Sequence, residues 1–181
     1  MNYNLPWLID QYNRQNRLEY VFFWGHQPRK DGQISESCFS QWWESPFTVS
    51  DVVYKTAEHW MMAEKARLFG DEAALMAILC CQTPAEAKKM GRTVQNFDSI
   101  VWNNSCYGVV KKGNFYKFSQ NQVLREFLLR TKEQILVEAS PVDPIWGIGL
   151  ASDHPDRATP VKWPGQNLLG FALMEVRDEL A

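Results

Sequence analysis

The stretch Thr56-Ala57-Glu58-His59-Trp60-Met61-Met62-Ala63-Glu64-Lys65 decides how this chain folds. Just before it, the β-prone runs Pro46-Phe47-Thr48-Val49 and Val52-Val53-Tyr54 flank Ser50-Asp51, which predicts a hairpin. Its second strand delivers the chain to Thr56, a residue suited to an N-cap, so a helix opens there with Glu58 in its first turn. The positive end of that helix favours a carboxylate and keeps Glu58 ionised unless burial wins. Glu58, Met62 and Lys65 stand at i, i+4 and i+7 and share one helical face. A carboxylate and an amine on one stripe form a candidate reaction centre; the competing reading is a surface helix with both groups in water.

Working outward, 181 residues suffice for a single domain with one compact core. Hydrophobic residues make up 45% and charged residues 22%, close to the globular average, which argues against a disordered or fibrous chain. The aromatic share is high, with eight Trp, and such rings either fill cores or line pockets that stack flat heterocycles. A formal charge of −2 creates no field that would recruit nucleic acid by itself. Residues 1–17 alternate polar and apolar side chains without a signal-peptide pattern, and no window approaches a membrane span, so a cytoplasmic setting is expected. Cys38, Cys80, Cys81 and Cys106 have no metal-type spacing and are expected as free, mostly buried thiols. His26, His59 and His154 are scattered, so metal dependence has little support.

Further along, the first helix is expected to stop near Gly70, and Asp71 caps a second helix through Cys81. Thr83-Pro84-Ala85-Glu86 has the form of a capping box for a third, closed by Gly91. Asp98–Trp102 and Val109–Phe118 read as separate helical stretches, because Gly108 and Gly113 interrupt the pattern. Gln122–Leu129 reads as a helix and Ile135–Glu138 as a β-prone run, before a long Pro- and Gly-rich passage from Ser140 to Gly165. The chain closes with an amphipathic helix capped by Asn167; Leu169, Leu173, Val176 and Leu180 form its apolar stripe, and Arg177, Asp178 and Glu179 much of its polar face.

Several segments occur in an order that resembles the NADAR domain, or YbiA-like, family. They are Phe23-Trp24-Gly25-His26, Phe39 to Phe47, Thr56 to Ala66, Gly91-Arg92, Trp102, Lys117-Phe118, Leu136 to Gly149, and Gly165 to Gly170 with Met174 and Arg177. The resemblance spans about Tyr20 to Leu180, leaving residues 1–18 as an N-terminal extension and 19–181 as the domain. It implies a mainly α fold, a single-domain orthogonal helical bundle with a small antiparallel β element near the N-terminus. Family members are described as N-glycosidases acting on phosphoribosylated pyrimidine intermediates of riboflavin synthesis or on ADP-ribose attached to guanine. A non-catalytic module that reads ADP-ribose is the alternative of another class. No cofactor, no metal and no membrane partner is implied; the partner is a phosphoribosyl or ADP-ribosyl small molecule, or ADP-ribosylated nucleic acid.

Cleaving a ribosyl C1–N bond generates an oxocarbenium-like sugar, and a fixed carboxylate near C1 stabilises it or deprotonates the attacking water. The resemblance gives that role to Glu58, and to Asp143, in the Trp-Gly loop, the task of protonating or holding the leaving nitrogen. Lys65 has two readings: a charge that binds phosphate or keeps Glu58 ionised, or an amine that condenses with the ring-opened ribose aldehyde. Trp24, Trp102, Trp146, Gly147, Arg92 and Asn167 are the expected substrate contacts. Each has a structural counter-reading: core packing for the indoles, neutralisation of a helix end for Arg92, a helix cap for Asn167.

Overall fold

The computed structural model describes residues 1–181, with seven α-helices and four short strands. The mainly α expectation holds. In place of one compact core, the contacts cluster into two compact units, Gln41–Gln122 and a second built from Met1–Ser40 with Val123–Ala181. The reason is topological: the middle of the chain packs on itself, while the segments before and after it pair with each other.

In the unit Gln41–Gln122, β1 (Phe47–Val49) and β2 (Val52–Tyr54) form the antiparallel hairpin, with Phe47 opposite Tyr54. Ser50 and Asp51 both have positive φ, which suits the tight turn between them. The chain then enters α1 (Ala57–Leu68), followed by α2 (Glu72–Cys80), α3 (Pro84–Gly91) and α4 (Ser99–Gln120). Thr56, Asp71 and Asp98 each cap through a side-chain oxygen, and Thr83 with Glu86 makes the full capping box. The two helical stretches expected around residues 98–118 are one continuous helix. Gly113 does not break it; a Cβ there would strike the Trp60 ring, so the glycine is what lets α4 lie against α1. Trp60 is then ringed by Phe47, Tyr54 and Tyr116, and its indole N–H donates to Val109 O at 2.9 Å.

In the other unit, α5 (Leu5–Asn13) lies where the sequence promised only an extension, opened by the Asn4 side chain and a proline in its first turn. β3 (Tyr20–Phe23) runs parallel to β4 (Ile135–Glu138), Phe23 standing opposite Glu138. The antiparallel element is therefore the hairpin alone, and the first β-prone run pairs with a strand more than a hundred residues later. α6 (Gln122–Leu129) precedes β4, and α7 (Leu168–Leu180) packs on it. Arg177, expected on the polar face, is buried at 5% exposure and donates to Thr131 Oγ1 and Gln134 O. Of the free thiols, Cys38 and Cys106 are buried, whereas Cys80 is exposed.

Asn167 does not cap α7 with its side chain. It sits in the left-handed region at φ 55°, fully buried, and clamps β4: Oδ1 accepts from Glu138 N–H at 3.0 Å and Nδ2 donates to Leu136 O at 2.9 Å. Asn tolerates this backbone better than most residues, and its amide matches one donor and one acceptor of the strand. Replacing it by Leu strands two buried backbone groups, each worth about 1–3 kcal/mol. Asn167→Leu is expected to lower stability by about 2–5 kcal/mol, read as an earlier urea midpoint.

Candidate active site

Glu58 lies in the first turn of α1 with only 5% of its surface exposed, and its backbone N–H donates to Gln41 O at 3.0 Å. The surface-helix reading is thereby excluded for this carboxylate. The turn around it is locked by its neighbours. Thr56 Oγ1 accepts from His59 N–H at 3.3 Å and stands 2.8 Å from His59 Nδ1, while His59 Nε2 lies 3.3 Å from Cys81 O. A carbonyl only accepts, so Nε2 carries the proton and Nδ1 receives the threonine hydroxyl. Burial pushes the His59 pKa below its ordinary value.

Two turns on, Lys65 is half-buried and its Nζ donates to Gly91 O at 2.8 Å. The head group stands 4.2 Å from the centre of the Phe97 ring and 5.8 Å from that of Trp102. Burial lowers its pKa. Gly91 is pressed against Met62, the residue between Glu58 and Lys65 on the stripe, so α3 seats closely on α1. Arg92 caps the C-terminal end of α3 and is exposed. Glu58, Lys65, Arg92 and Trp102 thus share the unit Gln41–Gln122.

Trp24, Asp143, Trp146, Gly147 and Asn167 belong to the other unit. Trp24 is 55% exposed just after β3, and Glu138 ends the parallel strand beside it. Asp143 Oδ1 accepts from the Ile145 and Trp146 N–H groups, both at 2.9 Å, which fixes the turn that presents half-buried Trp146. Gly147 serves the protein's own packing: a Cβ there would come within 2.8 Å of Glu138 O and 2.9 Å of Ser140 Cβ. Its carbonyl accepts from Asn167 N–H at 3.0 Å.

Sequence reasoning missed Phe97, Gln41 and Asn114. Phe97 is exposed yet faces the Lys65 ammonium, and nothing in the sequence marks it. Asn114, in the middle of α4, and Gln41, in the turn before β1, are 0% and 8% exposed, and an amide at a mid-helix position was the one available signal, for Asn114 alone.

A family model described as the NADAR domain matches residues 22–181. The chain belongs to the NADAR domain family. It is 41% identical over 166 residues to an N-glycosidase of Acanthamoeba polyphaga mimivirus, covering 89% of this chain and 96% of that protein. It is 33% identical over 145 residues to the N-glycosidase YbiA of Escherichia coli, covering 80% of each. The NMR structure of Escherichia coli YbiA matches it with a TM-score of 0.70 at 28% identity, over 90% of this chain and 84% of that one. With relatives so named, this NADAR protein is a hydrolase acting on N-glycosyl bonds. No helix is long and apolar enough to cross a membrane.

The lowered His59 pKa carries a sign. The unfolded chain takes up a proton near pH 6.5 that the folded chain still refuses, so stability is complete above that pH and falls as pH drops below it. Thermal melts should decline from pH 6.5 towards acid, and His59→Gln should flatten that slope.

Proposed function

We propose that this NADAR protein hydrolyses the C1–N ribosyl bond of a phosphorylated ribosylaminopyrimidine of the kind formed in riboflavin synthesis. The observation that carries the reading is Glu58, a carboxylate at 5% exposure on the positive end of α1. Such a group is held where positive charge develops and bulk water cannot screen it. In the reaction, the C1–N electron pair leaves with the pyrimidine nitrogen, which takes up a proton, C1 becomes oxocarbenium-like, and water adds to C1 while Glu58 takes the water's proton, so the proton gained by the leaving amine is matched by the one the water gives up.

Lys65 supports a second use of the same carbon. Its lowered pKa raises the fraction of neutral amine, and the Gly91 carbonyl with the Phe97 and Trp102 rings aims the head group. A neutral amine condenses with the C1 aldehyde of the ring-opened ribose and expels water, giving an imine. Arg92 offers an exposed guanidinium fork for the 5′-phosphate. The Trp102 indole, in the unit that holds Glu58 and Lys65, is a face for a heterocycle. The formal charge of −2 favours a small substrate over a long nucleic-acid footprint.

Side-by-side turnover of a ribosylaminopyrimidine phosphate and an ADP-ribosylated guanine oligonucleotide tests the substrate class. Faster release of the pyrimidine is expected; release from guanine alone would reassign the substrate, and tight ADP-ribose binding without any product would make the protein a reader. Glu58→Gln should reduce kcat by about 10²–10⁴-fold with an unchanged melting curve. Unaltered turnover in that variant removes Glu58 from the mechanism.

For Lys65, incubation with ribose 5-phosphate and cyanoborohydride should yield one covalent adduct by mass spectrometry. Lys65→Arg should abolish that adduct. No adduct in the wild type leaves Lys65 as a charge only.

A further inference from the structure

Cys80 and Cys81 stand side by side at the end of α2, and no role described above uses their thiols. Cys80 is exposed and Cys81 half-buried, whereas Cys38 and Cys106 are buried. The pair sits where α2 is fastened to the turn that carries Glu58. Cys81 O accepts from Lys55 Nζ at 2.7 Å and lies 3.3 Å from His59 Nε2. Gln82 completes the fastening: its Oε1 accepts from Lys55 Nζ at 2.9 Å and its Nε2 donates to Cys80 O at 3.1 Å. Cys81 is seated by two further bonds, its N–H to Ile78 O at 3.1 Å and its Sγ–H to Ala77 O at 3.3 Å.

We propose that Cys80 and Cys81 form a reversible thiol switch, in which oxidation by a small disulfide joins the two sulfurs and draws the Cys81 carbonyl off His59. The effect on turnover rests on the role proposed above for Glu58; the chemistry of the thiols does not. Cys80 loses its proton and its thiolate attacks one sulfur of the small disulfide, forming a mixed disulfide and releasing a thiolate that takes up that proton. Cys81 then attacks Cys80 Sγ, the mixed bond breaks, and the second released thiolate takes the Cys81 proton. Two protein thiols are oxidised to one disulfide, and one small disulfide is reduced to two thiols. Burial, with Glu86 and Cys80 nearby, holds the Cys81 thiol above its ordinary value, so exposed Cys80 is the sulfur that attacks first.

The spacing of the pair makes the bond reversible and lets it act on the turn. Adjacent Cα atoms stand about 3.8 Å apart, below the roughly 4.4–6.8 Å of ordinary disulfides, and strained, accessible disulfides are the readily reduced ones. The ring so formed contains the φ torsion of Cys81, now −58°, which also sets where the Cys81 carbonyl points. Closing it takes Sγ off Ala77 O and turns that carbonyl away from Lys55 and His59. The first turn of α1 then loses its hold on α2, and Glu58 moves with it.

Incubation with oxidised glutathione, followed by mass spectrometry of the intact chain and its peptides, reads the bond directly. The chain should lose the mass of two hydrogens, located in the peptide holding residues 80 and 81, and dithiothreitol should restore it. An unmodified chain, or a glutathione adduct on Cys80 that never resolves, overturns the switch. Oxidised wild type should lose about 10–100-fold in kcat on the ribosylaminopyrimidine phosphate and regain it with dithiothreitol. Cys80→Ser should match reduced wild type in turnover and ignore oxidised glutathione; Cys80→Ala takes its place if the serine variant does not fold. A disulfide that forms with kcat unchanged overturns the link to the site.

Thermal melts read the same link without substrate. The charged groups that face His59 are Lys55 and Glu86, and burial lowers the imidazole pKa. Releasing Cys81 O opens the ring to water, so the oxidised chain should lose the decline in stability below pH 6.5, as His59→Gln does. An oxidised chain with the slope of the reduced one overturns the link. Absence of turnover on every N-ribosyl substrate defeats the reading of Glu58, while the mass and the melts still report on the switch.

Discussion

A buried carboxylate at the start of a helix is only as well placed as the turn that carries it, and here that turn is set by Thr56 and His59. The threonine hydroxyl accepts the His59 N–H and lies within hydrogen-bond reach of the His59 ring, whose other nitrogen reaches Cys81 O. This small ring ties the first turn of α1 to the end of α2, and Glu58 stands inside it in sequence. Its requirement for a neutral imidazole couples the geometry of this turn to pH. The Gln41 carbonyl completes the arrangement by accepting the Glu58 N–H, one of the donors that a helix start leaves unpaired.

Local chemistry explains why much of this was legible. Caps at Thr56, Asp71, Thr83 and Asp98 are signalled by single residues acting over three or four positions, so the starts of α1 to α4 follow from the sequence. The hairpin follows in the same way. What escaped depends on partners far away in the chain. β3 and β4 are each four residues long, and nothing within either says that Tyr20 will stand beside Ile135. Gly113 looked like a helix breaker because its value lies in the Trp60 ring pressed against it, and that ring is 53 residues earlier. Arg177 looked solvated because its acceptors, Thr131 and the Gln134 carbonyl, belong to the turn before β4.

For the site, residue type was informative and role less so. Glu58 and Lys65 were readable because their shared helical face is a local fact. Asp143 and Asn167 were readable as chemistry-bearing residues, yet the hydrogen bonds they make are those of architecture: one holds the Trp146 turn, the other joins α7 to β4. Phe97 had no sequence signal at all, since an aromatic ring over an ammonium is a property of two elements brought together.

The two buried asparagines differ in how far the chain itself satisfies them. Asn167 accepts from Glu138 N–H with its oxygen and donates to Leu136 O with its nitrogen, so the strand engages both ends of the amide. Asn114 spends only its nitrogen; its oxygen, like the nitrogen of Gln41, is left over beside the turn that bears Glu58. Burial is complete in both cases, and burial alone therefore says nothing about role. The difference lies in satisfaction. An unmet buried group costs about 1–3 kcal/mol, and a fold keeps it only where something other than its own backbone makes the missing bond.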